Sequence, residues 1–112
     1  MENVLRVLFI CTYNQVRSCT AESLLKGTPG YEVMSAGTSP SAVTVLAPTH
    51  LEWADMIFVM EERHLRHLQD VAGVPLDPKT VINLDVSFAA SQSADLTAYI
   101  RKKLAPHFPM LK

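Results

Sequence analysis

Cysteine is scarce in this 112-residue chain: only Cys11 and Cys19 occur, so no disulfide scaffold is implied. Net charge is nearly absent too. Ten basic residues stand against eleven acidic ones, for a formal charge of -1, which leaves no basic footprint for nucleic acid. No apolar run approaches membrane-spanning length, and the N-terminus lacks the charged-then-apolar order of a secretion signal. The expectation is a cytoplasmic protein with no membrane partner. What is plentiful is apolar surface: 48% of the residues are hydrophobic, enough for one core, and residues 1–112 read as a single domain.

The chemistry-bearing stretch is VLRVLFICTYNQVRSCTAESLLKG, residues 4 to 27. Val4 to Ile10 is β-branched and aromatic with Arg6 its only charge, the pattern of a central strand covered on both faces. Residues 19 to 27 place Ala21, Leu24 and Leu25 on one side of a helix that Gly27 and Pro29 end. Strand, short loop and helix N-terminus in that order form an anion site, because loop and first-turn amides converge. Cys11 ends the strand and Arg17 follows just before the helix. A thiol among amide donors and beside a guanidinium is favoured as thiolate, its nucleophilic form. Arg17 can hold two oxygens of a phosphoryl group through its planar fork. Ser18 can donate a hydrogen bond to the sulfur, and Asn14 tolerates a left-handed backbone while binding its own loop. Thr12, Tyr13, Asn14, Gln15, Val16, Arg17 and Ser18 together make the candidate phosphate-binding set.

Further along, Tyr31 to Ser35 predicts a second strand, Met56 to Met60 a third and Thr80 to Leu84 a fourth. Small residues in Ser35-Ala36-Gly37-Thr38 let that segment approach the nucleophile loop. Thr49 and Glu52 have capping-box spacing, which predicts a short helix from His50 into Trp53, with Trp53 in the core. Asp55 is expected to act locally, as a cap or salt bridge. A helix from Glu61 or Glu62 to about Val71 turns Leu65 and Leu68 inward; His64 and His67, flanked by Arg63 and Arg66, read as solvent-exposed basic residues rather than metal ligands. The last helix spans about Ser93 to Leu104, with Leu96, Tyr99, Ile100 and Leu104 at helical spacing and Arg101 to Lys103 at its dipole-favoured end. Phe108 folds back after Pro106.

The loop C-T-Y-N-Q-V-R-S, residues 11 to 18, resembles the C-x5-R-S phosphate loop of the low-molecular-weight protein tyrosine phosphatases, as do Thr20-Ala21-Glu22 and Ser35-Ala36-Gly37-Thr38. Leu51 to Glu61 is similar to a compact bacterial subgroup of predicted tyrosine phosphatases. The resemblance covers residues 5 to about 85. It implies a three-layer α/β/α domain with a four-stranded parallel sheet in the order 2-1-3-4. It also implies hydrolysis of phosphotyrosine in a protein, or of a small aryl phosphate, through a phosphocysteine intermediate, with inorganic phosphate as product and neither metal nor cofactor. Cys11 is then the nucleophile, Arg17 the phosphoryl clamp, and Ser35 and Thr38 supports of one wall of the site.

The general acid is where the chain departs from the family. Asp85 at the carboxyl end of the fourth strand reaches the same sheet edge as Cys11 and can protonate a leaving oxygen. The larger enzymes follow this acid with proline and aromatics, whereas here Val86-Ser87-Phe88 follows. The compact subgroup carries an acidic pair whose counterparts here are Phe88 and Ala89. Three readings stay open: Asp85 is the acid, Asp95 is, or no efficient acid exists. Between Ser39 and Leu51 there is neither the aspartate nor the arginine of the larger enzymes, which implies a simpler, more open entrance. Tyr13 and Phe88 are candidates for its aromatic walls. Two other functions fit the same loop. One is a phosphate- or phosphopeptide-binding protein with weak turnover. The other is a thiol-dependent arsenate reductase, for which Cys19 is the only remaining thiol; otherwise Cys19 is structural filler.

Overall fold

The apolar run that opens the chain becomes the spine of a parallel sheet. In the computed structural model, which describes residues 4–72, 80–87 and 94–111, strand β1 (Leu5–Cys11) lies between β2 (Tyr31–Gly37) and β3 (Met56–Val59), and β4 (Thr80–Asn83) pairs with β3. All three pairings are parallel, and the order is β2-β1-β3-β4, as the resemblance implied. Helices alternate with the strands: α1 (Arg17–Leu25), α2 (Pro48–Trp53), α3 (Glu62–Ala72) and α4 (Leu96–Leu104).

Strand alternation splits the core in two. Val7, Phe9 and Cys11 face a cluster completed by Ala21 and Leu25 of α1 and by Leu96, Ile100 and Leu104 of α4. Leu8 and Ile10 face the opposite cluster with Leu51 and Leu68 from α2 and α3. Every residue from Val7 to Ile10 is fully buried, which is why this strand reads as a continuous apolar run rather than an alternating one. Phe9 stacks on Phe58 with centroids 5.4 Å apart, and Phe108 closes over Phe58 and Tyr31, the fold-back expected after Pro106. Full burial of that one ring is worth about 2 kcal/mol.

The register aligns the functional edge. Cys11 pairs with Gly37, Ile10 with Val59, and Val59 with Asn83, so the carboxyl ends of all four strands arrive together. Several boundaries differ from the sequence expectation. Helix α1 starts at Arg17, two residues early, and β2 runs on past Ser35, so Ala36 and Gly37 also belong to the strand. Helix α2 begins at Pro48, and Thr49 is not its cap; instead His50 Nδ1 accepts the Ala47 N–H at 2.9 Å. A proline at the first position fixes φ where no amide partner is needed, which outweighs the Thr-Glu pattern. Trp53 is half-buried against the second cluster, and Asp55, expected to act as a local cap or salt bridge, instead accepts the N–H of the distant Arg6 at 3.0 Å. Helix α4 starts at Leu96, and Ser93 lies outside the described residues. The largest correction concerns His64, which is 1% exposed instead of solvated; it precedes Leu68 by one helical turn and so shares its inward face. No helix among the described residues is long and apolar enough to cross a membrane.

Candidate active site

Cys11 is the last residue of β1, and the loop that follows turns sharply back on the sulfur. Asn14 makes this possible by adopting φ 55°, the left-handed region its side chain tolerates. Its N–H then donates to Cys11 Sγ at 3.2 Å. Helix α1 starts with Val16 at the N-cap, and no side chain caps it. Forgoing a polar cap costs about 1 kcal/mol. It leaves first-turn amides without an intrahelical acceptor at the mouth of the loop, where an anion can take them.

Proton counting fixes the direction of the hydrogen bonds behind the sulfur. Ser35 Oγ donates to Glu22 Oε1 at 2.5 Å, so it accepts from Asn14 Nδ2 at 2.8 Å. Asn14 Nδ2 also donates to Ser18 Oγ at 2.8 Å. Ser18 is therefore left with its own proton to give to Cys11 Sγ, 3.1 Å away. Two donors thus converge on one sulfur. Glu22, which anchors the chain, was quoted in the sequence only as a landmark.

The wall beside the loop is β2 and its continuation. Thr38 N–H donates to Cys11 O and Ser39 N–H to Thr12 O, both at 2.9 Å, and Val43 N–H donates to Tyr13 O at 3.1 Å. Gly37 is required for this approach: a Cβ there would sit 2.5 Å from Thr12 O and 3.0 Å from Asn14 N. Ser35 is brought to the sulfur network through its hydroxyl, and Thr38 touches the loop through its amide. Tyr13, Gln15 and Val16 stay exposed on the rim, while Thr12 is half-buried.

Arg17 is the first residue of α1 and only 3% exposed. Its Nη1 donates to Glu61 Oε2 at 2.6 Å and to Val86 O at 2.8 Å, and Nη2 approaches Thr12 Oγ1 at 3.4 Å. Burial alone would raise the Glu61 carboxyl, but hydrogen bonds from Arg17 and Arg63, with their charges, outweigh it and hold it below the usual range. Behind this pair, Glu61 N–H donates to His64 Nδ1 at 3.0 Å, and His64 Nε2 lies 2.9 Å from Thr12 Oγ1. Burial, reinforced by the Arg17 and Arg63 charges, pushes the His64 pKa from 6.5 to about 4.

That shift has a measurable consequence. Between pH 6.5 and about 4 the unfolded chain binds a proton at this histidine that the folded chain refuses. Stability is therefore complete above the upper value and falls on acidification, by about 3 kcal/mol across the window. Urea unfolding at neutral pH and at about pH 4.5 should show this slope, and His64→Asn should lose most of it. An unchanged slope in the variant would assign the acid sensitivity to other groups.

Asp85 leaves β4 at the same edge as Cys11. It is exposed, adopts φ 57°, and its N–H donates to Asn83 Oδ1 at 2.8 Å. Its neighbours are pinned, Leu84 N–H to Val59 O and Val86 N–H to Met60 O. Because Val86 O is the carbonyl that holds Arg17, Asp85 stands one residue from the guanidinium's anchor. Asp95 occupies the N-cap of α4, and Phe88 and Ala89 lie outside the described residues. Cys19 donates its thiol to Asn14 O at 3.1 Å. Burial, with the charges of Glu22 and Cys11 acting against a Ser35 hydrogen bond, raises its pKa. Both thiols are free of disulfide bonds. Among the described residues no group of three or more His, Cys, Asp and Glu side chains gathers to hold a metal ion.

Glu22, Glu61 and His64 are the site residues whose roles sequence reasoning missed. Glu61 is the first polar residue past a buried strand, at the edge that also delivers Asp85, and the same edge argument applied to β3 finds it.

No family model matches the chain, and no curated protein matches it. Solved structures do. The arginine phosphatase YwlE from Geobacillus stearothermophilus is 22% identical, with 95% of this chain and 94% of that one covered and a TM-score of 0.67. The tyrosine phosphatase Wzb from Escherichia coli K30, in complex with phosphate, is 18% identical over 100% of both chains, with a TM-score of 0.74. The low-molecular-weight protein tyrosine phosphatase SP-PTP from Streptococcus pyogenes is 16% identical, covering 97% and 94%, with a TM-score of 0.77. Over nearly its whole length, then, the chain has the fold of the low-molecular-weight protein tyrosine phosphatases.

Proposed function

We propose that this protein hydrolyses phosphotyrosine or other aryl phosphate monoesters through a phosphocysteine intermediate. The observation that carries the reading is the convergence of the Asn14 N–H and the Ser18 hydroxyl on Cys11 Sγ, in a loop that Arg17 closes. In the first step the Cys11 thiolate attacks phosphorus, an S–P bond forms, and the P–O bond to the aryl oxygen breaks. Asp85 gives that oxygen its proton. Water then attacks the same phosphorus, Asp85 takes a proton from it, and the S–P bond breaks to release inorganic phosphate. Arg17 and the loop amides of residues 12–18 hold the equatorial oxygens throughout, and Ser18 stabilises the sulfur as nucleophile and as leaving group. Tyr13, exposed on the loop, flanks the ester with its ring in this reading. Arsenate reduction is less favoured, since it needs resolving thiols and Cys19, the one other cysteine of the sequence, has its thiol turned to Asn14 O.

The test compares p-nitrophenyl phosphate with a phosphotyrosine peptide in wild type and Asp85→Asn. A good leaving group needs little protonation, so the variant should fall far more on the peptide, by roughly 10²-fold. Equal rates for the two proteins on the peptide would remove Asp85 as the acid. Tight phosphopeptide binding without turnover in wild type would favour the binding-protein reading. YwlE is described as an arginine phosphatase, so a phosphoarginine arm belongs in the same assay. Turnover confined to that substrate would replace the aryl ester by a phosphoramidate.

A further inference from the structure

The proposed reaction leaves two part-buried contacts unused, both made by the junction of β3 and α3. The first is Glu61 to Arg17, where one carboxylate oxygen takes a guanidinium hydrogen at 2.6 Å. Together with Val86 O at 2.8 Å, it engages Nη1 from two different strand ends and fixes the plane of the guanidinium. The second is His64 to Thr12. Because the Glu61 N–H points at Nδ1, that nitrogen carries a lone pair, so in the neutral imidazole the proton is on Nε2 and is donated to Thr12 Oγ1. Thr12 Oγ1 also faces Arg17 Nη2 at 3.4 Å. With its lone pairs directed at two donors, the Thr12 hydroxyl has its own hydrogen to donate.

We propose that Glu61 and His64 are positioning residues of the phosphate cradle: Glu61 aims Arg17, and His64 converts the Thr12 hydroxyl into a fixed donor toward the bound phosphoryl group. The residue before α3 and the first turn of α3 thereby reach both ends of the loop, Thr12 next to the nucleophile and Arg17 at the helix start. The arrangement has a cost that makes it testable. A carboxylate against Arg17 lowers the positive potential an incoming phosphate meets, so a Glu61 that merely competed with the anion would weaken its binding. A Glu61 that positions Arg17 strengthens it.

The proposal rests on the phosphate-loop reading, and its experiment has an arm that does not depend on turnover. Binding of inorganic phosphate, measured by calorimetry, is expected to weaken about tenfold in Glu61→Ala and to be largely restored in Glu61→Gln, which keeps an acceptor without the charge. Tighter or unchanged phosphate binding in Glu61→Ala would overturn the Glu61 role. For His64, kcat/KM and phosphate affinity are compared in His64→Ala, Thr12→Val and the double variant. If His64 acts through the Thr12 hydroxyl, the double variant loses no more than the worse single one, and His64→Gln, which returns an N–H donor, recovers part of the loss. Additive losses would overturn it. Thermal midpoints of every variant separate these effects from simple destabilisation, which would lower stability without producing rescue or non-additivity. Should wild type bind phosphate but hydrolyse no ester, the proposed function fails, and the phosphate affinities alone decide the positioning roles.

Discussion

Cys11→Ser is expected to abolish ester hydrolysis, with kcat falling on the order of 10⁴-fold or more. Serine keeps the shape of the side chain, which is 3% exposed at the end of β1, so the fold and thermal midpoint should hold. The Asn14 amide and the Ser18 hydroxyl would still point at the substituted atom, 3.2 and 3.1 Å from the sulfur it replaces. What is lost is chemistry: an alkoxide is far harder to form at neutral pH than a thiolate, and the serine oxygen is a far poorer leaving group from phosphorus in the second step. Because the cradle is unchanged, the variant should retain inorganic phosphate binding, readily measured by calorimetry beside the rate of p-nitrophenyl phosphate hydrolysis. Residual turnover above a tenth of wild type would remove Cys11 as the nucleophile.

Arg17→Lys is expected to have the next largest effect, a loss of about 10³-fold in kcat/KM with the positive charge retained. Arginine here does three things at once: it bonds Glu61 and Val86 O through Nη1 and approaches Thr12 through Nη2. A lysine ammonium on a shorter stem cannot meet those acceptors and also offer a planar fork to two equatorial oxygens. Arg17→Ala removes one of the two cations that pair with Glu61, leaving only Arg63, and should destabilise the fold more than the lysine change, though less than a fully buried pair would, since Glu61 is 26% exposed. Rates and urea midpoints of the two variants distinguish lost geometry from lost charge. A lysine variant with near-normal kcat/KM would show that charge alone suffices.

How far the sequence reached follows from which signals are local. The strand-loop-helix order around Cys11 was legible because a buried parallel strand is apolar throughout, and Asn14 could be read as left-handed from its residue type. The sheet order came from the family resemblance, since composition by itself gives strands but not their neighbours. Boundaries slipped where tertiary contacts extended an element: β2 runs on because Ser35 and Gly37 are held against the loop, and α1 starts early because Arg17 is drawn into the core by Glu61 and Val86. His64 was misread because its flanking arginines suggested a solvated face, although its four-residue spacing to Leu68 placed it inward. Glu61 and Glu22 were hidden for a different reason: each acts across more than ten positions of sequence, on Arg17 and Ser35. Asp85 was placed at the correct edge by the parallel-sheet argument, and its role remains a proposal.

The most direct measurement of the central claim is to trap the covalent intermediate. Wild-type protein quenched in acid during turnover of p-nitrophenyl phosphate, then digested and mapped by mass spectrometry, should carry a phosphate on Cys11. The adduct should be absent from Cys11→Ser. Steady turnover with no adduct on Cys11, or with phosphate on another residue, would contradict the account.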